Sequence, residues 1–278
     1  MKFLSSKSFL LVLVLFALFA SSCSGYQRLL RSTDNELKFA AAIRFYEEGD
    51  YNRSLGLLTN LLPVFRGTAR AEDVHYYFAM VHYKIGDYIS ASQHFMTFTQ
   101  GFPRSRHTEE FLFMAAYTKF LLAPRSSLDQ MAGREAINAF QLFVNRFPQS
   151  ERVAEANDHI DELRRRQEEK VFNQGMLFYN LSDYTASITT FNNLIRDFPD
   201  TQFREEALFQ IVQANFDFAS KSIVQRQKER FNNVVTAHNR LIRFFPESRF
   251  LQQSERLRNL SQTNIQRLTS PTTLSVNQ

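Results

Sequence analysis

Four Phe-Pro pairs interrupt the helix-like spacing of apolar residues that runs along most of the chain. They are Phe102-Pro103, Phe147-Pro148, Phe198-Pro199 and Phe245-Pro246. Each pair follows an aromatic-rich run, and a Ser or Thr stands two residues after each proline. Because proline cannot continue a helix and Ser or Thr often caps the next one, each pair predicts a helix stop, a turn and a capped new helix.

A second type of break lies between the prolines. It reads Gly49-Asp50-Tyr51, Gly86-Asp87-Tyr88 and Ser182-Asp183-Tyr184. Small residues stand eight positions before each Asp and four positions after it, namely Ala42, Ala79, Gly175, Ser54, Ala91 and Ser187. Small side chains let two helix backbones approach where they cross, so this spacing predicts helical hairpins with Tyr and Phe filling the space beside each crossing.

The combined pattern resembles the tetratricopeptide repeat, a helix–turn–helix unit of about 34 residues. Five copies are predicted, at about 35–66, 72–105, 109–149, 168–201 and 205–248. Longer turns are expected near Ala123–Gly133 and Ser220–Arg226, and one long helix over Glu151–Asn180. Each unit exposes an apolar face unless it stacks on a neighbour. The predicted fold class is therefore all-α, a right-handed α-solenoid of about five tetratricopeptide-like helical hairpins.

The N-terminal pattern is that of a secretory signal. Lys2 and Lys7 precede the apolar stretch Phe9–Ala20, and small residues separate that stretch from Cys23, the sole cysteine. The stretch is too short for a spanning helix, which needs roughly 20 apolar residues. Small residues before a cysteine resemble the lipobox of bacterial lipoproteins, which implies acylation of Cys23. Ser24 then suggests sorting to the outer membrane. The alternative is an ordinary signal with an incidental cysteine.

These features divide the chain into four predicted parts. They are a signal peptide at 1–22, a lipidated polar linker at 23–35, the repeat solenoid at 36–260 and a disordered polar tail at 261–278. The tail prediction rests on its enrichment in Ser, Thr, Asn and Gln.

Composition argues against several classes of function. The formal charge of +5 includes Lys2 and Lys7, so the chain after the signal carries only +3, too little for a predicted nucleic-acid surface. Glycine is scarce, at 8 of 278 residues, and no phosphate-binding loop motif occurs. The six histidines are scattered along the chain, are expected at the surface and do not have the spacing of metal ligands. They are His75, His82, His94, His107, His159 and His238. We therefore predict no catalytic residue, no metal and no cofactor.

What remains is a binding surface. By resemblance to peptide-binding repeats, the first helix of each repeat would line a concave groove that holds an extended or unfolded segment. The groove residues expected on this basis are Phe39, Ile43, Tyr46, Tyr76, Met80, Tyr83 and Lys84. The alternative is that these aromatic residues belong to the core between repeats.

The order of the parts resembles the BamD-like lipoproteins of the outer-membrane β-barrel assembly machinery. The nearest local matches are Ala115–Leu122, Ala136–Ser150 and Tyr184–Ala214. The resemblance implies a non-catalytic scaffold, lipid-anchored on the periplasmic face of the outer membrane. Its implied partners are the barrel-forming subunit with its periplasmic domains, other assembly lipoproteins and unfolded outer-membrane protein precursors. The alternative is a repeat adaptor lipoprotein for cell-wall or division machinery. A polysaccharide-uptake lipoprotein is a weaker third reading.

Overall fold

The computed structural model describes residues 25–270, and every regular element in that range is helical. A helical segment at 25–31 comes first, and eleven helices follow it within the described range. Their bounds are α1 Asn35–Glu47, α2 Tyr51–Leu61, α3 Ala71–Lys84, α4 Tyr88–Gly101, α5 Thr108–Leu122, α6 Met131–Arg146, α7 Val153–Asn180, α8 Tyr184–Asp197, α9 Arg204–Ser220, α10 Val224–Phe244 and α11 Leu251–Thr269.

The helices belong to two compact units. Of the described residues, the first unit holds 25–123 together with Met131–Ile160, and the second holds Pro124–Gln130 and 161–270. In the first unit α1 packs on α2, α3 on α4 and α5 on α6, while in the second α8, α9, α10 and α11 pack in chain order. The all-α class and the tetratricopeptide-like stacking of helical hairpins are confirmed. The right-handed sense of the array stays a prediction.

Phenylalanine fills the interior of both units, which explains why 29 of the residues are Phe. The largest fully buried aromatic side chains are Phe95, Phe98, Phe111, Phe113, Phe140, Phe143 and Phe191. The Phe of every Phe-Pro pair also packs against one of these cores. The aromatic run and the proline after it therefore have separate roles, since the first packs a helix and the second ends it.

The Gly-Asp-Tyr turns form as their sequence predicts. Gly49 and Gly86 have φ of 80° and 82°, and Ser182 has φ of 61°, the left-handed conformation that commonly ends a helix. The Asp after each of them accepts a hydrogen bond from the backbone N–H three residues later, at 3.0–3.2 Å. One short motif thus ends the first helix of a repeat and caps the second.

The small residues meet at the helix crossings, as the spacing predicts. Ala79 and Ala91 are completely buried where α3 meets α4. The Ser54 hydroxyl donates a 2.8 Å hydrogen bond to the Ala42 carbonyl, and the Ser187 hydroxyl donates a 2.9 Å bond to the Gly175 carbonyl. Serine at the crossing therefore provides a polar link between helices as well as close approach.

The Ser or Thr after each Phe-Pro pair has a different role from the one expected. Its hydroxyl oxygen accepts a bond from the N–H two residues later, but α5, α9 and α11 have no side-chain cap. The predicted direct cap is wrong at these helices, since each helix begins three residues after the hydroxyl. Three of these hydroxyls donate instead to Glu72, Glu168 and Glu205 of a preceding helix, at 2.7–3.0 Å. Each such bond ties a turn to an earlier helix.

Both ends of the repeat region are more ordered than their polar composition predicts. Residues 25–31, expected as a polar link, form a helical segment whose Leu29 and Leu30 pack against the core of the first repeat. Helix α11 continues to Thr269, beyond the predicted start of the tail at Ser261. Its Leu257, Ile265 and Leu268 pack on the core of the second unit. Apolar residues at helical spacing outweigh the polar composition in both places.

The predicted long helix and one of the two predicted longer turns are present. The predicted long helix is confirmed as α7, which has 28 residues. The predicted longer turn after α5 is present at 123–130, whereas the turn between α9 and α10 has only three residues, 221–223. The signal peptide, Cys23 and residues 271–278 lie outside the described residues.

Candidate functional site

The first unit presents a row of partly exposed aromatic residues on the first helices of its repeats. Tyr46 on α1 lies edge-on to Tyr77 on α3, with ring centres 5.4 Å apart. Tyr77 in turn lies 5.2 Å from Tyr76, which stacks on Phe111 of α5 at 5.1 Å and 14°. Ring contacts therefore connect three successive repeats, with the partly exposed tyrosines reaching the third repeat through the completely buried Phe111.

Five of the seven predicted groove residues are partly exposed along this row. One side of Ile43 and of Tyr46 packs on the core of the first repeat. One side of Tyr76, Met80 and Tyr83 packs on the neighbouring core of the same unit, which includes Phe95. Their other side faces solvent. Side chains that are half core and half surface can offer an apolar contact without losing their fixed positions.

The remaining two predicted residues differ from this group. Phe39 is only 4% exposed and packs against Phe65 and Tyr77, so it belongs to the core and offers no surface. Lys84 is exposed at the end of α3, beside Tyr83 in the sequence, and no ion pair of Lys84 occurs among the described residues. It is free to contact an anionic or carbonyl group of a ligand.

The structure adds residues that the sequence argument omits. Tyr77 and Phe111 link the row, and Tyr117 on α5 lies close enough to Tyr83 to influence its ionisation. No groove residue was predicted in the third repeat. Tyr117 on α5 follows the fully buried Ala115 by two residues, whereas Tyr83 follows Ala79 by four, so the spacing of α3 does not locate it.

The tyrosine hydroxyls of the row are neutral donors over the physiological pH range. Burial raises the pKa of Tyr46 to about 12, with smaller contributions from neighbouring tyrosines and from Glu110. Burial also raises the pKa of Tyr76 and of Tyr83. The arrangement can therefore pack flat apolar area against a peptide and donate hydrogen bonds to its backbone carbonyls, and none of these hydroxyls is activated for nucleophilic chemistry.

Comparison with known proteins adds the family. Residues 32–222 match the family model YfiO, described as outer membrane lipoprotein. The chain belongs to this family. It is similar to the outer membrane protein assembly factor BamD of Pasteurella multocida (strain Pm70), with 23% identity over 212 residues, 73% of this chain and 81% of the relative. The solved TPR2AB-domain:pHSP90-complex of yeast Sti1 aligns with 82% of this chain and 98% of its own, at 11% identity and a TM-score of 0.36.

The histidines of this YfiO-family chain serve its packing. His82 donates a 3.1 Å hydrogen bond from Nδ1 to the Asp87 carboxylate and lies 4.8 Å, ring centre to ring centre, from His94. Burial, followed by the neighbouring His82 and His75, lowers the pKa of His94 to about 4. His238 is 1% exposed. The expectation of surface histidines is therefore wrong for His238. His82 and His94 pack against the Phe78 ring and against each other, and the lowered pKa of His94 keeps it mostly neutral above pH 6.

Three further findings concern membrane spans, metal ligands and the acidic pairs. No helix within residues 25–270 is both long and apolar enough to cross a bilayer. Over the same residues, no three side chains of His, Cys, Asp or Glu come together as a metal-binding group. Acidic pairs near helix ends have structural partners; Glu205, for example, accepts bonds from the Ser248 hydroxyl and the Arg249 N–H.

Proposed function

We propose that this chain is a non-catalytic scaffold lipoprotein for the assembly of β-barrel proteins into the outer membrane. The observation that carries the proposal is the YfiO family match over residues 32–222. The similarity to a relative named as an outer membrane protein assembly factor supports the assembly role. The proposed partners are the barrel-forming subunit through its periplasmic domains, other assembly lipoproteins, and unfolded barrel precursors.

The proposed location is the periplasmic face of the outer membrane, with Cys23 as the lipid-anchored residue. The signal-like segment before Cys23 and the family description support this location. An acylated cysteine would hold the chain at the membrane with no spanning helix, because two or more acyl chains anchor a protein stably.

Depletion of the protein tests the assembly role. Because one scaffold would serve many precursors, we expect several outer-membrane barrel proteins to fall together when its expression is shut off, measured by quantitative proteomics of the outer-membrane fraction. Unlipidated periplasmic proteins serve as the internal control. Unchanged barrel levels after depletion contradict the proposal, and an affinity tag after Gln278 that recovers cell-wall or division enzymes would support the adaptor alternative.

The aromatic row in the first unit is the proposed site for unfolded precursors. Precursor strands alternate apolar and polar residues, and an extended segment exposes both its apolar side chains and its backbone carbonyls. Partly exposed Tyr46, Tyr76 and Tyr83 offer flat contact area at little loss of side-chain entropy, and their neutral hydroxyls suit those carbonyls.

Tyr83→Ala is expected to weaken binding of a synthetic peptide copied from the last strand of a barrel precursor by about tenfold, the loss of one well-buried aromatic contact. Fluorescence anisotropy of a labelled peptide measures the affinity, and circular dichroism checks the fold. Tyr76→Ala should weaken binding as well, but it also removes the stacking on Phe111 and lowers stability.

Ile89→Ala is the matched control for the groove. Ile89 is 72% exposed on α4, a second helix of its repeat, and lies off the row. Its loss should leave peptide affinity unchanged. Equal effects of Tyr83→Ala and Ile89→Ala, or no effect of Tyr83→Ala in a folded protein, would show that the peptide binds elsewhere.

A further inference from the structure

The helical segment 25–31 lies almost directly after the proposed lipid attachment site. Gly25 follows Cys23 by two residues, and two extended residues span at most about 7 Å. The segment is therefore as close to the acyl chains as a folded element of this chain can be, provided that Cys23 is acylated as proposed above.

The segment packs against the first repeat through specific contacts. The Tyr26 hydroxyl donates a 3.3 Å bond to the Arg53 carbonyl, and its ring lies edge-on to Phe45 at 6.0 Å. The Arg53 guanidinium lies 5.8 Å from the centre of the same ring. A Cβ at Gly56 would overlap the Tyr26 hydroxyl, so glycine leaves the space that the tyrosine occupies. The segment is thus part of the folded unit.

The outer side of the segment combines two cations with apolar side chains. A surface cavity of about 760 Å³ is lined by Gln27, Arg28, Leu29, Arg31, Ser32 and Leu37, among others. Arg28 and Arg31 are exposed and three residues apart, so they share one side of the helical segment. Leu37 is 52% exposed beside them.

The positive charge of this cavity is not neutralised from within the chain. No carboxylate of the described residues lies within ion-pair distance of Arg28 or Arg31. The nearest acidic residues in the sequence have other roles, since Asp34 accepts the Leu37 N–H at 2.9 Å and Glu36 pairs with Arg70 at 3.4 Å. Two guanidinium groups therefore face solvent together, next to the exposed Leu37 and the partly buried Leu29.

We propose that this cavity is a binding site for the phosphate head group of an anionic phospholipid. Guanidinium groups bind phosphate oxygens with paired, charge-assisted hydrogen bonds, and leucines at the same surface suit the adjoining acyl region. The length of chain between Gly25 and Cys23 places the cavity at the membrane surface. A bound head group would fix the orientation of the first repeat relative to the membrane, which a flexible tether could not do.

The test uses the full mature chain with Cys23→Ser, which has no acyl group, so that its outcome does not depend on acylation. Co-sedimentation with vesicles compares phosphatidylglycerol–phosphatidylcholine mixtures with phosphatidylcholine alone. Because each basic side chain at an anionic surface contributes about a fivefold gain in partition, we expect Arg28→Gln with Arg31→Gln to lower binding to the anionic vesicles about thirtyfold. The matched control is Lys228→Gln with Arg243→Gln, two exposed cations on α10.

Two results of the vesicle comparison would overturn the proposal. One is equal binding to neutral and anionic vesicles, and the other is an equal loss of binding in the control pair. Free inorganic phosphate at millimolar concentration should not displace the vesicles, and displacement would indicate a site for soluble phosphate instead. If the native chain is acylated but this test fails, the lipid anchor stands and only the head-group site is rejected.

As a second measurement, slower hydrogen exchange at residues 26–37 is expected only with the anionic vesicles.

Discussion

Cys23→Ser is expected to abolish incorporation of a clickable palmitate analogue into the protein completely. Since Cys23 is the sole cysteine of the chain, no second thiol can take the acyl group. Within residues 25–270 no helix can replace the anchor by spanning the bilayer. Each buried methylene contributes about 0.8 kcal/mol to membrane attachment. The acyl chains proposed at Cys23 would therefore be by far the largest membrane contact of the protein, and Cys23→Ser would remove them.

In-gel fluorescence after metabolic labelling measures this effect, and the gel also shows whether the precursor is processed. Ser22→Ala is the matched control, because it changes the neighbouring residue to another small one and should keep the label. A label that persists in Cys23→Ser, or one that is missing from the native chain, would reject acylation at this position and support the ordinary-signal alternative.

Gly175→Ala is expected to destabilise the second unit by about 1–2 kcal/mol, although alanine is the better helix former. An alanine Cβ at position 175 would lie 2.7–3.0 Å from three ring carbons of Phe191. Phe191 is completely buried, so a shift of its ring would also displace the core residues around it. Overpacking of this kind costs about 1–3 kcal/mol, whereas the gain in helix propensity is at most about 1 kcal/mol. Urea unfolding followed by circular dichroism gives the free energy of unfolding.

Two variants separate the clash from a general effect of substitution. Gly101→Ala, at the end of α4, meets no atom within 4 Å and should leave the free energy of unfolding unchanged or raise it slightly. Phe191→Leu frees space, so in that background Gly175→Ala should become neutral or stabilising. If Gly175→Ala were as well tolerated as Gly101→Ala in the native background, the close packing of α7 on α8 would not hold.

Much of the hairpin architecture is readable from the sequence because its signals are local. The left-handed residue before Asp50, Asp87 and Asp183 and the bond from each Asp to the next helix involve only a few consecutive residues. Small residues at fixed spacing then identify the helix crossings. The predicted caps at Ser105, Thr201 and Ser248 failed because each helix begins three residues after the hydroxyl. Local sequence also does not show that these hydroxyls donate to a glutamate more than thirty residues earlier.

The candidate groove was predictable only in part. Tyr46, Tyr76 and Tyr83 are partly exposed as expected, yet Phe39, chosen by the same spacing, is core. Helical periodicity identifies the side of a helix that is apolar, but the neighbouring helices decide how much of that side is covered. Phe39 is covered by Phe65, from the turn between α2 and α3, and by Tyr77 on α3.

The sequence by itself determined the all-α repeat architecture, the long helix α7 and the signal-like start before Cys23, because each depends on residues within one or two turns of each other. Only the tertiary structure decided which aromatic residues stay exposed, and that segment 25–31 is seated on the first repeat through Tyr26 and Gly56. The physical reason is that the burial of a side chain and the packing of a segment depend on surfaces brought together from distant parts of the chain.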